Sequence, residues 1–301
     1  MAEDFDFALY TGGSNHITHA DLYSGMGGFS DGVKACGGAT TLAVDIDKHA
    51  RSTYKFRHPG VSFLLREASD ADVRQRLMRF KPNFITAGTP CTDASPMGLR
   101  VEGAAMQELE RVADLIIETK VPTALLENVV EALRTEAWRR ARTALHTSGY
   151  DTYVVHTAAD AFGAPTRRRR VYILVQLTSP GSATALQRFG MYINTNRSAC
   201  EAVSVRDVLD CDADAFYLRT RSQRPGVYST DGILPTLLSS HFGAIPADYQ
   251  SRSNDFCGIA EAKELTIAEV AKLQTVHGSL PPAALVPRTA LQLQLANLAC
   301  P

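Results

Sequence analysis

The chain has 301 residues, of which 45% are hydrophobic and 21% are charged, and its formal net charge is −1. This length suits one large domain with a smaller one attached, and the charge balance excludes a global basic field for nucleic acid. No apolar run reaches the ~18 residues of a membrane span, and the acidic start Met1–Asp4 is unlike a signal peptide. The six cysteines form no C-x-x-C pair, so we expect an intracellular protein with neither disulfides nor a bound metal.

Short apolar runs alternate with longer amphipathic segments between residues 17 and 176. Alternation of this kind predicts an α/β fold with a mostly parallel, doubly wound sheet. No clear helix separates the last two predicted strands, so we expect them to form a hairpin. The predicted strands are Ile17–Tyr23, Thr40–Val44, Val61–Leu65, Asn83–Ala87, Thr123–Leu126, Asp151–His156 and Val171–Gln176. The predicted helices include Asp70–Phe80, Ala104–Thr119 and Thr135–Ser148.

The character of the sequence changes after Thr178. Residues 179–260 are rich in Ser, Gly, Pro and Asn, and they offer only short strand candidates such as Phe216–Thr220 and Val227–Ser229. A helix returns at Leu265–Leu273, with Thr266 and Glu269 at capping-box spacing. We therefore predict a first domain over 1–178, a small irregular domain over 179–260, and a segment over 261–301 that packs back on the first domain.

A glycine-rich segment, Asp21–Phe29, follows the first predicted strand. Its glycines allow a tight turn and a close approach to a ligand, although the spacing is not G-x-G-x-x-G. Asp45, which ends the second predicted strand, could accept both hydroxyls of a ribose or could simply cap the next helix. Together the two features favour a cofactor that contains a nucleoside.

Two chemically capable side chains end buried strands further along the chain. Cys91 follows Pro90, which fixes the backbone before the thiol, and Glu127 ends the run Ala124–Leu126. A lone cysteine is most often structural, and a carboxylate at the end of a strand is often merely solvated. If both groups face one crevice at the carboxyl edge of the sheet, they form a nucleophile with an acid beside it.

Four consecutive arginines, Arg167–Arg170, precede the last predicted strand. A charge run is usually a solvated surface. Alternate residues of a strand project to one side, however, so Arg168 and Arg170 can share a face with Thr166. Such a row suits a phosphate backbone or a base oxygen.

In order along the chain, these motifs resemble those of the cytosine-5 methyltransferases that use S-adenosylmethionine. Asp21–Phe29 resembles the family's D-L-F-x-G-x-G-G-F loop, Pro90-Cys91 its Pro-Cys nucleophile, and Glu127–Val129 its Glu-Asn-Val triplet. Thr166–Arg170 resembles Q-x-R-x-R, and Ala296-Asn297 a late Gly-Asn pair. The resemblance implies a Rossmann-like catalytic domain, a target-recognition domain over 179–260, and a cytoplasmic (nucleoid) or nuclear location.

The resemblance also implies a mechanism. Cys91 would add to carbon 6 of a flipped-out cytosine, Glu127 would bind ring nitrogen 3 and the exocyclic amine, Asn128 would hold the neighbouring loop, and Arg168 would engage the base oxygen or the sugar-phosphate. Tyr23 would stack on adenine, and Asp45 would bind the ribose. The implied substrate-binding residues are Pro90, Ser95, Thr166, Arg168 and Arg170. The implied residues for S-adenosylmethionine, or its product S-adenosylhomocysteine, are Asp21, Tyr23, Ser24, Gly25, Met26, Gly28, Asp45, Ile46, Glu67, Pro90 and Asn297.

Several positions depart from the family pattern. Phe is usual at Tyr23, Glu at Asp45, Gln at Thr92 and Thr166, and Gly at Ala296. The leading hypothesis is a DNA methyltransferase of the restriction-modification type that acts on double-stranded DNA. A transfer-RNA methyltransferase on the same scaffold is a close rival, because a recognition domain of about eighty residues is small. A catalytically silent relative that binds nucleic acid and a nicotinamide oxidoreductase are more distant alternatives.

Overall fold

The structure is a computed structural model, and its elements follow the predicted alternation closely. Strand and helix boundaries agree with the sequence predictions to within about two residues in the first domain. The residues that the structure describes are 16–91, 103–179, 182–199, 201–209, 215–218, 226–236, 242–245, 263–276 and 278–297.

A seven-stranded sheet forms the centre of the molecule, in the order β3-β2-β1-β4-β5-β8-β6. The first five strands in this order pair in parallel, and β8 runs antiparallel to both of its neighbours. The predicted fold class and the predicted terminal hairpin are therefore confirmed. The strands are β1 (Thr18–Leu22), β2 (Ala39–Asp45), β3 (Ser62–Leu65), β4 (Phe84–Gly88), β5 (Thr123–Asn128), β6 (Tyr150–Ala158), the short β7 (Thr166–Arg167) beside the sheet, and β8 (Arg169–Leu177).

Helices cover the sheet and bury its apolar strands. Asp70 and Thr135 cap two of them by accepting backbone N–H groups through their side chains, a contact that stabilises a helix end by ~1 kcal/mol. No helix in the described ranges is long and apolar enough to cross a membrane. The helices of this region are α1 (Gly28–Ala35), α2 (Lys48–Arg57), α3 (Ala71–Phe80), α4 (Ala104–Thr119) and α5 (Glu136–Thr147).

The prediction of an irregular segment directly after Thr178 is wrong, because an 18-residue helix, α6 (Ser182–Ala199), occupies this stretch. Its apolar residues pack on β6 and β8, with the Tyr153 and Phe189 rings edge to face. Gly190 lies so close to β6 that a Cβ there would come within 2.3 Å of the Tyr153 hydroxyl. The lack of a side chain at Gly190 therefore lets the helix pack closely on β6. The predicted division at residue 178 stays a prediction.

The remaining described elements form a smaller sheet and a second apolar cluster. The small sheet has the order β10-β9-β12-β13, and β11 pairs in parallel with β7. The predicted capping box of α8 is present, with Thr266 and Glu269 bonded reciprocally. The Met26 side chain belongs to this second cluster together with Leu295 of α9, so α9 returns to the glycine-rich turn. The elements are α7 (Val205–Val208), β9 (Ala215–Leu218), β10 (Gly226–Ser229), β11 (Leu234–Pro235), β12 (Phe242–Ile245), β13 (Lys263–Glu264), α8 (Ile267–Leu273) and α9 (Arg288–Asn297).

Candidate active site

The predicted site residues lie along one edge of the sheet, at the carboxyl ends of five adjacent parallel strands. In the order β3, β2, β1, β4 and β5, these ends carry Glu67, Asp45, Tyr23, Cys91 and Glu127. The strand order reverses between β1 and β4, and an open α/β sheet forms its crevice at such a switch point. The turns after β3, β2 and β1 therefore make one half of the site, and those after β4 and β5 make the other.

Cys91 and Glu127 share one electrostatic environment. Cys91 lies three residues beyond β4 and is half-buried against the main core, and Glu127 is 6% exposed on the neighbouring strand. The Nε atom of Arg170, at the start of β8, lies 2.8 Å from Glu127 Oε1. Burial raises the pKa of the Cys91 thiol, Glu127 raises it further, and Arg170 and Arg168 offset part of the rise. The Glu127 carboxylate and the guanidinium groups of Arg168 and Arg170 therefore all lie close enough to Cys91 to change the pKa of its thiol.

The Glu127 carboxylate keeps capacity for a further hydrogen bond. Its contact with Arg170 is an ion pair without an aligned hydrogen bond, and Oε1 has no hydrogen-bond partner among the described residues. Gly88 is the register partner of Glu127 on β4, and a Cβ there would lie 3.6 Å from Oε2. The absence of a side chain at Gly88 leaves this side of the carboxylate uncrowded.

Asn128 ties β5 to the turn that presents the thiol. Its Nδ2 donates to the Thr89 hydroxyl at 2.8 Å and to the Thr89 carbonyl at 3.3 Å, while its Oδ1 accepts from the Val129 N–H at 2.7 Å. Both Asn128 and Thr89 are buried. The backbone is therefore fixed two residues before Cys91. Thr89 was not among the predicted site residues, although its position next to Pro90-Cys91 is a signal.

The arginine row alternates in burial as its strand geometry predicts. Thr166 and Arg168 are buried and Arg170 is half-buried, whereas Arg167 and Arg169 are exposed. Arg167 forms an ion pair with Asp160 at 2.8 Å. Arg170 makes an ion pair with Glu127.

The glycine-rich turn is fastened to the end of β2 through Asp45. Gly25 N–H donates to Asp45 Oδ2 at 2.8 Å, and Ser24 N–H donates to the Val44 carbonyl at 3.0 Å. Gly25 and Gly27 have φ of 52° and 94°, which glycine adopts without strain. The alternative that Asp45 caps α2 is wrong, because Asp47 accepts the helix N–H of His49.

Tyr23 forms a wall beside this turn and is fixed from its far end. Its hydroxyl donates to Glu108 Oε2 of α4 at 2.5 Å, and Arg111 forms an ion pair with Glu108 Oε1. Glu67 is exposed at the end of β3 but close enough to raise the pKa of Tyr23. Ile46 is 69% exposed beside Asp45. The sequence carries no local signal for Glu108, which lies 85 residues from Tyr23.

Asp21 lies beneath the turn in a buried polar network. Ser30 donates to Asp21 Oδ2 at 2.6 Å, and Thr86 donates to Oδ1 at 3.0 Å. Burial raises the Asp21 pKa to about 7 against the opposing effect of these two bonds. Both carboxylate oxygens are thus engaged within the protein, at 0% exposure.

The other predicted residues lie as follows. Pro90 is exposed at the turn before Cys91, and Gly28 begins α1. Met26 is 1% exposed, so only its backbone is available to a ligand at the turn. Asn297 is the last residue of α9, and its side chain lies outside the part that the structure describes, as does the whole of Ser95. No group of three or more potential metal ligands occurs among the described residues.

A profile of the family described as C-5 cytosine-specific DNA methylase matches residues 17–210. The chain belongs to this family. It is 28% identical to the type II methyltransferase M.HgiDI of Herpetosiphon aurantiacus, over 85% of this chain and 82% of that protein. It is 26% identical to M.HindV of Haemophilus influenzae, over 85% and 84% of the two chains.

Solved structures with a similar fold are also known. A crystal structure of Spodoptera frugiperda DNMT2 superposes with a TM-score of 0.67 at 16% identity, over 93% of this chain and 95% of that one. At this identity the likeness concerns the fold. The predicted family, the Rossmann-like fold and the predicted function as a C-5 cytosine-specific DNA methylase are confirmed.

Proposed function

We propose that this methylase transfers the methyl group of S-adenosylmethionine to carbon 5 of a cytosine in double-stranded DNA, through a covalent adduct with Cys91. The observation that carries the proposal is the placement of Cys91 just beyond β4 and of Glu127 on the neighbouring β5, with Arg170 2.8 Å from the carboxylate. A nucleophile and a hydrogen-bonding acid that share one crevice can bind a flat ring between them.

The chain's own residues supply the activation of the base. The Cys91 thiolate forms a bond to carbon 6, and the electron pair displaced in the ring makes carbon 5 nucleophilic. Glu127 binds ring nitrogen 3 and the exocyclic amine, which stabilises the charge that develops as sulfur adds. After carbon 5 is methylated, its proton leaves and the sulfur–carbon 6 bond breaks, which restores the aromatic ring and the free cysteine.

Arg168 and Arg170 have different proposed roles. Arg170 orients Glu127 through its ion pair and, at the same position, faces the space next to the thiol. We therefore assign contact with the base oxygen to Arg170 and a supporting, more buried position to Arg168, which is 4% exposed. Flipping the target out of the duplex costs a few kcal/mol, which contacts of this kind must offset.

The residues at the ends of β1, β2 and β3 fit the proposed cofactor. Ser24 Oγ is buried without a hydrogen-bond partner among the described residues, and the space around Gly25 is open. Asp45 would hold the ribose, while Ile46 and Tyr23 would contact the adenine. S-adenosylmethionine supplies an electrophilic methyl group on a sulfonium. Burial raises the pKa of Asp45, although three backbone N–H groups counteract this, so the site favours a neutral hydroxyl partner over an anion.

We also propose that the region between α6 and α8 carries target recognition. The pairing of β11 with β7 supports this, because it attaches the region directly to the strand of the arginine row. Thr236 adds a hydrogen bond from its hydroxyl to the Arg167 carbonyl at 3.1 Å. A sequence-reading element fixed to this strand would be held in register with the target base.

The test is methyl transfer from labelled S-adenosylmethionine to duplex DNA and, in parallel, to transfer RNA. We expect label in DNA, at carbon 5 of cytosine, and bisulfite sequencing will give its position. DNA that contains 5-fluorocytosine should trap a covalent complex with the wild-type protein, because fluorine blocks the loss of the carbon 5 proton.

The matched variants are Cys91→Ser and Cys36→Ser, since Cys36 is also a free cysteine but is exposed elsewhere. Cys91→Ser should lose trapping and turnover while it keeps its affinity for the cofactor, and Cys36→Ser should behave as the wild type. Label confined to RNA would exclude the DNA substrate. A cofactor-bound protein that never traps DNA would instead support a silent relative.

A further inference from the structure

The bond from Tyr23 to Glu108 connects the cofactor half of the site to a helix from the other half of the sheet. Tyr23 follows β1, whereas Glu108 lies in α4, which connects β4 to β5. The 2.5 Å contact joins residues that are 85 positions apart. Sequence gives no reason for the pair, because a phenylalanine is usual at the position of Tyr23 in the family pattern.

The tyrosine backbone is held in an uncommon conformation. Tyr23 has φ of 54°, a region that L-residues with bulky side chains rarely adopt. The residue therefore requires support from its surroundings. The backbone after it is fixed by the Ser24 N–H bond to Val44, and the far end of its ring is fixed by Glu108.

Glu108 is itself fixed. Its side chain is 15% exposed, and Arg111, one helical turn further on, pairs with its other oxygen. Burial and Glu108 both raise the Tyr23 pKa, so the phenol keeps its proton and donates at every physiological pH. The arrangement is a clamp in which Arg111 orients Glu108 and Glu108 orients the ring of Tyr23.

We propose that Glu108 is a positioning residue for the cofactor, which holds the Tyr23 ring in the orientation that the adenine meets. The inference depends on the proposed function, since it assumes that the adenine binds beside Tyr23. Without the clamp, the ring would sample other rotamers, and binding would have to restore the order that the free protein lacks. Glu108 would thus act on cofactor affinity and not on the chemical step.

The experiment measures the Kd of S-adenosylhomocysteine by calorimetry for the full chain. Tyr23→Phe removes only the hydroxyl, whereas Glu108→Ala removes the acceptor together with its ion pair to Arg111. We expect each to raise the Kd at least about fivefold, less than the full strength of a charge-assisted hydrogen bond. The double variant should be no weaker than the weaker single variant, because both substitutions break the same contact. Glu108→Gln, which keeps an acceptor oxygen, should restore most of the affinity.

The matched control is Glu110→Gln, at another glutamate of α4, which breaks a 2.8 Å ion pair with Arg140 of α5. This variant should bind the cofactor as the wild type does. In Glu108→Ala, the KM for S-adenosylmethionine should rise while kcat at saturating cofactor and the Kd for DNA keep their wild-type values, a pattern that a merely structural role would not produce.

Two results are decisive. Variants that lose thermal stability but bind S-adenosylhomocysteine like the wild type would overturn the inference and leave the proposed function intact. A wild-type chain that does not bind the cofactor at all would overturn the proposed function, and this inference with it.

Discussion

Asp21→Asn is the substitution for which the structure gives the clearest quantitative expectation. Asp21 is wholly buried beneath the glycine-rich turn, and burial raises its pKa from 3.8 to about 7. Thr86 and Ser30 each have a single hydroxyl proton, which they donate to the carboxylate. The further partners of these hydroxyls, His19 Nε2 at 2.8 Å and the Tyr54 hydroxyl at 2.6 Å, must then be donors.

The network therefore directs all of its protons toward an ionised Asp21. Since Nε2 of His19 is a donor, its Nδ1 accepts from the Thr40 hydroxyl at 2.9 Å, and the imidazole is neutral. Burial lowers the His19 pKa to about 3, which agrees with a neutral imidazole. The donors oppose desolvation, but they do not overcome it.

The sign of the pH effect follows from the two pKa values. Between pH ~4 and ~7, the folded protein holds the Asp21 proton more tightly than the unfolded chain does, so raising the pH through this window lowers the free energy of unfolding. The difference between the two pKa values corresponds to ~4 kcal/mol in total, more than half of which falls between pH 5 and pH 8. The asparagine variant cannot titrate and should lack this loss.

The assay is urea unfolding of the cofactor-free chain at pH 5, 6, 7 and 8, for the wild type and for Asp21→Asn. The difference between the two proteins isolates Asp21, because His19 and the other groups titrate in both. Asp207→Asn is the matched control, since Asp207 is exposed and its pKa is lowered by its bonds with Ser204, so it stays ionised over the whole range. If the free energy of unfolding changes with pH in the same way for Asp21→Asn and the wild type, Asp21 does not titrate in this window.

Three further predictions concern the site. Glu127→Gln should slow methyl transfer about a hundredfold or more, which corresponds to ~3 kcal/mol for a lost preorganised contact. The same variant should make Cys91 more reactive toward an alkylating agent, because Glu127 raises the thiol pKa. A change of both rates in the same direction would contradict this. Asp45→Ala should weaken cofactor binding, because it removes the ribose acceptor and frees the turn at Gly25; an unaltered Kd in calorimetry would exclude the ribose role. Thr89→Val should destabilise the fold by ~1–3 kcal/mol, since a buried Asn128 donor loses its better acceptor, whereas Thr89→Ser should not; denaturant unfolding of the two variants will decide.

The sequence determined the elements and their chemistry along the chain. Period and composition were sufficient for the strands from Ile17 to Gln176, because each buried strand is a short apolar run between turn residues. The parallel order then required Cys91 and Glu127 to leave the same edge of the sheet. Helix α6 was missed because the prediction rested on the Ser, Gly, Pro and Asn content of the whole stretch 179–260, whereas the helix packs on β6 and β8.

Which side chains come into contact across the carboxyl edge of the sheet depends on the tertiary structure. The pairs Asn128–Thr89, Tyr23–Glu108 and Arg170–Glu127 each join residues more than 35 positions apart. Their contacts depend on strand register and on the height at which a helix crosses the sheet, and local sequence encodes neither. Burial, like these contacts, depends on the tertiary structure. It raises the pKa of Asp21 and of Cys91 because the assembled fold removes water from around them, and a linear chain has no interior.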